Sequence, residues 1–362
     1  MGSILGKPND LYGYLIHPPE YPIHLMNDLL VKEGTYGMVF GEASSAKSLI
    51  VQAMIVAIAS GEKFAGHFSV NGGTRNVLFL DLDQGADTSL RRFAKLVNWP
   101  SYEDDWKEGL AEHIFHYSPT KPFTVFEPAH CAELASEIKE NQIDMLVIDC
   151  LARTLGGGDE NATTTADQYF KAIKILQDIS LRDGRPLTVL IVHHSRKAPV
   201  GNGQGAKAPL HDDMRGASGW RDSLDFQIRA TKKRDLVWLT KLKERNAETP
   251  DGKWCFRIYD RMDEHGDGIG VKFNYEPDAE IQNQAAILWS ELSKITEGNK
   301  DKAIGLKALS DDLKARAVAG IPHSTGGLKP ILFHLCEAKK VQCTNQEYAA
   351  RDPHKRFWAV RG

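Results

Sequence analysis

"GMVFGEASSAKSLIVQAMIVAIASGE", Gly37–Glu62, decides how the rest of the chain is read. A short apolar run ends in a loop of small residues, and an apolar helical stretch follows, closed by Gly61. The loop "GEASSAKS", Gly41–Ser48, departs by one residue from the phosphate-gripping pattern G-x-x-x-x-G-K-[ST], with Ala46 at the second glycine. That pattern works because backbone N–H groups and a helix N-terminus face the anion; the lysine neutralises charge and the hydroxyl ligates magnesium. The expected ligands are ATP and Mg²⁺, held by Gly41, Ser44, Ser45, Ala46, Lys47 and Ser48. A Cβ at position 46 is expected to add strain of about 1 kcal/mol without destroying the site.

Outward from this loop, short β-rich runs alternate with helical patterns from Gly37 to Phe273, the mark of an α/β fold with a largely parallel sheet. Three apolar runs end on chemistry-bearing residues. "MLVIDC" ends on Asp149, about 100 residues after the loop, where ligands of open α/β sheets gather; a carboxylate there reaches the magnesium shell. "VLFLDLDQ" ends on Asp81 and Asp83, expected on one strand face as candidates for polarising an attacking water. "LIVHH" ends on His193 and His194, candidate sensors of the terminal phosphate. In the helical run "TSLRRFAKLVN", Leu90, Phe93, Ala94 and Val97 are expected to form the inward stripe. Three further strand-like runs, "LDFQIRATKK", "LVWLTKLKER" and "KWCFRIYD", are expected to be antiparallel neighbours.

Bulk properties exclude several classes. A net charge of −3 over 362 residues announces no global field for nucleic acid, so such a partner must be argued from local patches. Five scattered cysteines without CxxC spacing suit reduced thiols rather than a disulfide framework or a zinc site. No run approaches the roughly 18 apolar residues that span a bilayer. The expectation is a cytoplasmic protein with no membrane partner.

Taken together, "LFLDLDQGADTSLRRF", "LVIDCLARTLGGGDENATTTADQ", "LIVHHSRK", "MRGASGWRDSLDF" and "KLKERNAE" occur in one order. In that order they resemble RecA-like ATPases of the RepA type, hexameric replicative helicases of plasmids and phages related to the DnaB group. The resemblance covers roughly residues 22–258. It implies that Lys47 and Ser48 contact phosphate and magnesium, and that Asp149 is the Walker B acid. It also implies that Asp83 is the catalytic carboxylate, one methylene shorter than the family's glutamate, and that His194, with His193 next, is the strand-end sensor. "KERN" resembles the K-x-R-N pattern whose Lys243 and Arg245, two apart on a strand, reach a neighbouring subunit's ATP. Ala46 and Asp83 are the two departures from the family's pattern, and both fall on the catalytic machinery.

RecA-like rings carry single-stranded DNA on loops after the Walker B and sensor strands, here Gly156–Thr165 and Ser195–Arg215. The second offers Arg196, Lys197, Lys207 and Arg215 among glycines, with Arg215 an alternative ring-interface residue. "YEPDAEIQ", from Tyr275, reads as a linker to a small C-terminal domain. That segment, from Ile281, carries 13 Lys/Arg against 8 Asp/Glu and reads as three short helices and a ribbon, a winged helix-turn-helix. One of its helices places a stripe of Ile331, Leu332 and Leu335 just after Pro330, expected in a first turn. Lys329, Lys355 and Arg356 are its candidate DNA contacts.

The expected organisation is an N-terminal segment over 1–30, a RecA-like P-loop NTPase core over 31–276 and the winged-helix domain over 281–362. The expected function is an ATP-dependent DNA helicase, a homohexamer acting on single-stranded DNA with a separate replication initiator or primase. Two rivals remain at this level: an initiator or regulatory ATPase whose nucleotide controls assembly without unwinding, and a recombinase-like filament former.

Overall fold

The computed structural model describes residues 15–16, 24–27, 29–195, 216, 218–245, 252–343 and 356–360. Its central element is a nine-stranded sheet in the order β11-β10-β9-β8-β3-β7-β6-β4-β5. The strands are β3 (Tyr36–Gly41), β4 (Val77–Asp81), β5 (Ile114–Tyr117), β6 (Met145–Asp149), β7 (Thr188–His194), β8 (Phe226–Lys233), β9 (Leu236–Glu244), β10 (Lys253–Met262) and β11 (Gly268–Tyr275). From β8 to β5 every pairing is parallel. β3, β4 and β6 are buried almost throughout, as strands covered on both faces must be. The links β8–β9, β9–β10 and β10–β11 are too short for crossovers, so these neighbours run antiparallel. β11 extends the expected three-stranded addition by one. A separate antiparallel pair joins β1 (His24–Met26) to β2 (Leu30–Lys32).

Helices fill the crossovers. α1 (Lys47–Ser60) follows β3, is buried on most of its faces and stops at Gly61, whose φ of 73° terminates it. α2 (Ala86–Leu96) and α3 (Asp104–Ala111) lie between β4 and β5. α4 (Pro128–Glu140) leads to β6, and α5 (Thr163–Arg182) to β7. A short α6 (Ser218–Ser223) buries Trp220 against Tyr169 and Phe170, with ring centroids 5.3 Å and 5.6 Å away. The Trp220 indole N–H donates to the Glu160 carbonyl (2.8 Å), tying α6 to the loop after β6.

The α2 stripe differs from expectation. Phe93 of the expected stripe does pack inward, edge-on to Phe79 of β4 (ring centroids 5.7 Å), but the buried residues are Ser89 and Leu96, and Leu90 is 51% exposed. The reason is a buried polar knot: the Ser89 hydroxyl lies 2.9 Å from Gln52 Nε2 of α1 and 3.0 Å from His116 Nε2 of β5. Gln52 also donates to the Ser89 carbonyl (3.3 Å). Three hydrogen bonds outweigh the burial of one leucine face.

Contact density divides the chain into two compact units. One comprises 1–233, 237–253 and 258–274, and the other 234–236, 254–257 and 275–362. In the second, α7 (Ala279–Thr296), α8 (Leu306–Ala315) and α9 (Thr325–Glu337) enclose a core including Leu288, Leu292, Leu309, Leu313, Leu328 and Ile331. β12 (Ile304–Gly305), β13 (Val341–Cys343) and β14 (Arg356–Ala359) form a small sheet in the order β12-β14-β13. Two expectations are corrected here. The presumed linker shrinks, because Ala279 is fully buried and already starts α7. Pro330 lies inside α9 rather than in its first turn, because Ser324 caps the helix at Thr325 by accepting the Gly327 N–H (3.2 Å). Among the described residues no helix is long and apolar enough to cross a membrane.

Candidate nucleotide site

The carboxyl ends of β3, β4, β6 and β7 lie side by side, with Gly41 opposite His194 and Asp81 opposite Asp149 in register. In an open α/β sheet this edge is where ligands bind.

Gly41 is required by a close approach: a Cβ built there would stand 2.2 Å from the Ala230 carbonyl oxygen of β8. The loop then turns with Ser44 at φ 61° and Ala46 at φ 63°, both left-handed. Such left-handed residues between right-handed ones aim successive N–H groups into one concavity. Ala46 takes the left-handed angle a glycine would adopt freely, so the expected strain has a specific location. α1 starts at the next residue with no side-chain cap and no acidic residue in its first turn, leaving its N-terminal N–H groups for an anion. Ser45 and Lys47 are buried, and Lys47 Nζ donates to the Glu42 carbonyl (2.6 Å) across the mouth of the loop. Burial pulls the Lys47 ammonium below its ordinary value, opposed by the charges of Asp149, Cys150, Asp83 and Glu42.

The carboxylates divide into different roles. Asp149 is 2% exposed, and burial raises it to about 6 against the hydrogen bond it accepts from Ser48; Asp83 and Asp81 push it further up. The two expected magnesium ligands, Ser48 and Asp149, are therefore in contact. Asp81 does not share a strand face with Asp83: β4 ends at Asp81, whose Oδ1 accepts the N–H groups of Asp83 (3.2 Å) and Gln84 (3.1 Å). Asp81 thus shapes the turn that presents Asp83. Asp83 meets His194 and Cys150, with one ligand atom from each lying within 4.8 Å of the others.

Sequence reading missed Cys150 and Arg153. Cys150 is 2% exposed, and its thiol is pushed up to about 12 by burial and the charges of Asp83 and Asp149. Arg153 lies 3.6 Å from the Asp83 carboxylate. The only signal was position, since both follow closely on the strand-end Asp149. His193 turns away from the edge into the core, where its Nε2 lies 3.0 Å from Glu160 Oε1. Of the two histidines, His194 is the one at the site.

Lys243 and Arg245 are not brought to this edge. Lys243 Nζ donates to the Arg221 and Asp222 carbonyls (both 3.0 Å), and Arg245 donates to Asp222 (2.9 Å) and pairs with Asp225 (3.5 Å). Asp225 also accepts the N–H of Tyr36 (3.1 Å), the first residue of β3. The basic pair therefore sits at the opposite end of β3 from the loop, about 17 Å away along the strand.

The expected DNA loop Gly156–Thr165 is shorter than read, because α5 begins at Thr163. Arg196, Lys197, Lys207, Arg215 and Lys355 lie outside the described residues. Lys329 on α9 and Arg356 on β14 are exposed.

A family model described as AAA domain matches residues 8–200, more than half of the chain. The chain belongs to the AAA domain family. The matched AAA domain contains the loop, Asp83, Asp149 and His194 and stops before Lys243. Membership of that family supports ATP binding by a P-loop NTPase domain. Among solved structures, one described as an ATPase domain superposes with a TM-score of 0.45 at 11% identity, covering 66% of this chain and 85% of that one. No curated protein matches the sequence.

Proposed function

We propose that this protein is an ATP-driven DNA helicase of RepA type, built on a RecA-like core, that hydrolyses ATP between adjacent copies of the chain in a ring. The observation that supports it best is the separation of two half-sites: Lys47, Ser48, Asp149, Asp83 and His194 share one sheet edge, while Lys243 and Arg245 share the other. The residues present fit the implied cofactor and nucleotide, because the N-terminus of α1 has no side-chain cap and no acidic residue in its first turn, Lys47 lies beside it, and Ser48 already meets Asp149. Bound there, Mg²⁺ would supply charge neutralisation at the β- and γ-phosphates.

The chain's own groups account for the rest. The loop N–H groups and Lys47 hold the phosphates. Asp83 takes the proton from the attacking water as the new P–O bond forms and the bond to the β-phosphate breaks, with His194 orienting the terminal phosphate. Arg245 and Lys243 of the next copy neutralise the charge that develops. DNA enters the proposal through the sequence resemblance and the cationic stretch after β7. The second unit, with Lys329 and Arg356 on its surface, is assigned as a winged-helix DNA contact.

Turnover with and without single-stranded DNA tests this reading. Wild type is expected to be DNA-stimulated and Lys47→Ala silent. A second reading, a replication initiator in which nucleotide controls assembly only, draws on the strained Ala46 and on Asp83 being paired to Arg153. ATP-promoted assembly with no DNA-stimulated turnover would select it.

A further inference from the structure

Beside the hard-oxygen pair Ser48 and Asp149 lies a donor set of a different kind. Asp83 follows β4, Cys150 follows β6 and His194 ends β7, and one oxygen, one sulfur and one nitrogen from them lie within 4.8 Å of one another. Magnesium takes oxygen ligands in octahedral geometry, whereas thiolate and imidazole select softer ions such as Zn²⁺. Bonds of about 2.0–2.3 Å to a tetrahedral zinc place ligand atoms roughly 3.3–3.8 Å apart. The present spacing, within 4.8 Å, is about 1 Å wider than that, so binding requires the exposed Asp83 to exchange its contact with Arg153 and to draw in, with the partly exposed His194, onto the buried sulfur.

We propose that Asp83, Cys150 and His194 form a site for a soft divalent cation of the Zn²⁺ class, distinct from the Mg²⁺ site and sharing the carboxylate expected to activate water. Three protein ligands leave one position open for water, unlike the closed four-ligand set of a structural zinc site. Binding converts the Cys150 thiol to a thiolate and releases one proton to solvent. An ion held there removes Asp83 as proton acceptor and fixes His194, so zinc acts as an inhibitor of the proposed ATPase. That consequence rests on the proposed function; the binding does not.

Cobalt is the probe, added to the 362-residue chain without nucleotide. Wild type is expected to bind one equivalent with a near-ultraviolet thiolate-to-cobalt band and the visible bands of four-coordinate cobalt. Zinc displaces it and excess magnesium does not. Cys150→Ser loses the thiolate band, while Asp83→Asn and His194→Ala keep the band but weaken affinity about tenfold or more. Absence of the band in wild type overturns the proposal. So does an undiminished band in Cys150→Ser, which would move the metal to another cysteine. Should Cys150→Ser fail to fold by circular dichroism, unchanged affinity in both other variants overturns it equally. Because the spectra are read without ATP, an inactive ATPase would leave this result standing.

Discussion

Ala46 and Asp149 carry the most specific energetic content in the site. Ala46 holds a left-handed φ of 63°, so Ala46→Gly should raise stability by about 1 kcal/mol in urea unfolding, and a loss would show that the angle is not strained. Gly41→Ala should act oppositely and severely, because its Cβ meets backbone of β8. Burial holds Asp149 at about 6 in the fold, against about 3.9 for an ordinary carboxylate. The folded protein therefore holds this proton more tightly than the unfolded chain. Its contribution to stability is full below about pH 4 and is lost as pH rises through about 6. In chelator, Asp149→Asn should gain on wild type across that window, by about 3 kcal/mol at most, and parallel pH curves would refute the assignment. Binding of Mg²⁺–nucleotide should weaken below pH 6 for the same reason. The loop, Asp149 and His194 were legible in the sequence because strand ends and glycine loops carry local signals. Cys150 and Arg153 were not, because their meaning comes only from the convergence of three strand ends.

At the level of elements, the β3–loop–α1 unit is legible because each piece of local chemistry agrees: apolar strand, small residues at special angles, apolar helix, Gly61 stop. α2 is not, because a buried serine outcompetes an apolar stripe when Gln52 and His116 both bond to it. Ser89→Ala leaves the buried Gln52 and the half-buried His116 short of a partner and should cost about 1–3 kcal/mol. A cost below about 0.5 kcal/mol would mean that water or repacking satisfies them. The same logic covers α9: Ser324 sets its start five residues before Pro330, and a proline reads as a boundary only until a stronger cap is found upstream. β1, β2 and α3 are too short or too polar to show a period.

Across the whole molecule the deciding quantity is the length of β3. Arg245 is anchored beside Tyr36 through Asp225, and the phosphate loop begins at Gly41, so no side-chain rotation carries Arg245 to its own loop. If this arginine stabilises charge on ATP, it does so for another copy of the chain, through a head-to-tail contact of the kind that closes into rings. Lys47→Ala and Arg245→Ala should each be inactive alone, one lacking the cradle and the other the finger. Mixed in equal amounts before assembly, about a quarter of the interfaces join an intact loop from an Arg245→Ala copy to an intact finger from a Lys47→Ala copy. DNA-stimulated turnover should recover to that order of the wild-type rate and fall on dilution as the assembly dissociates. A finger acting within its own protomer predicts no recovery at any mixing ratio, since every copy then carries one lesion.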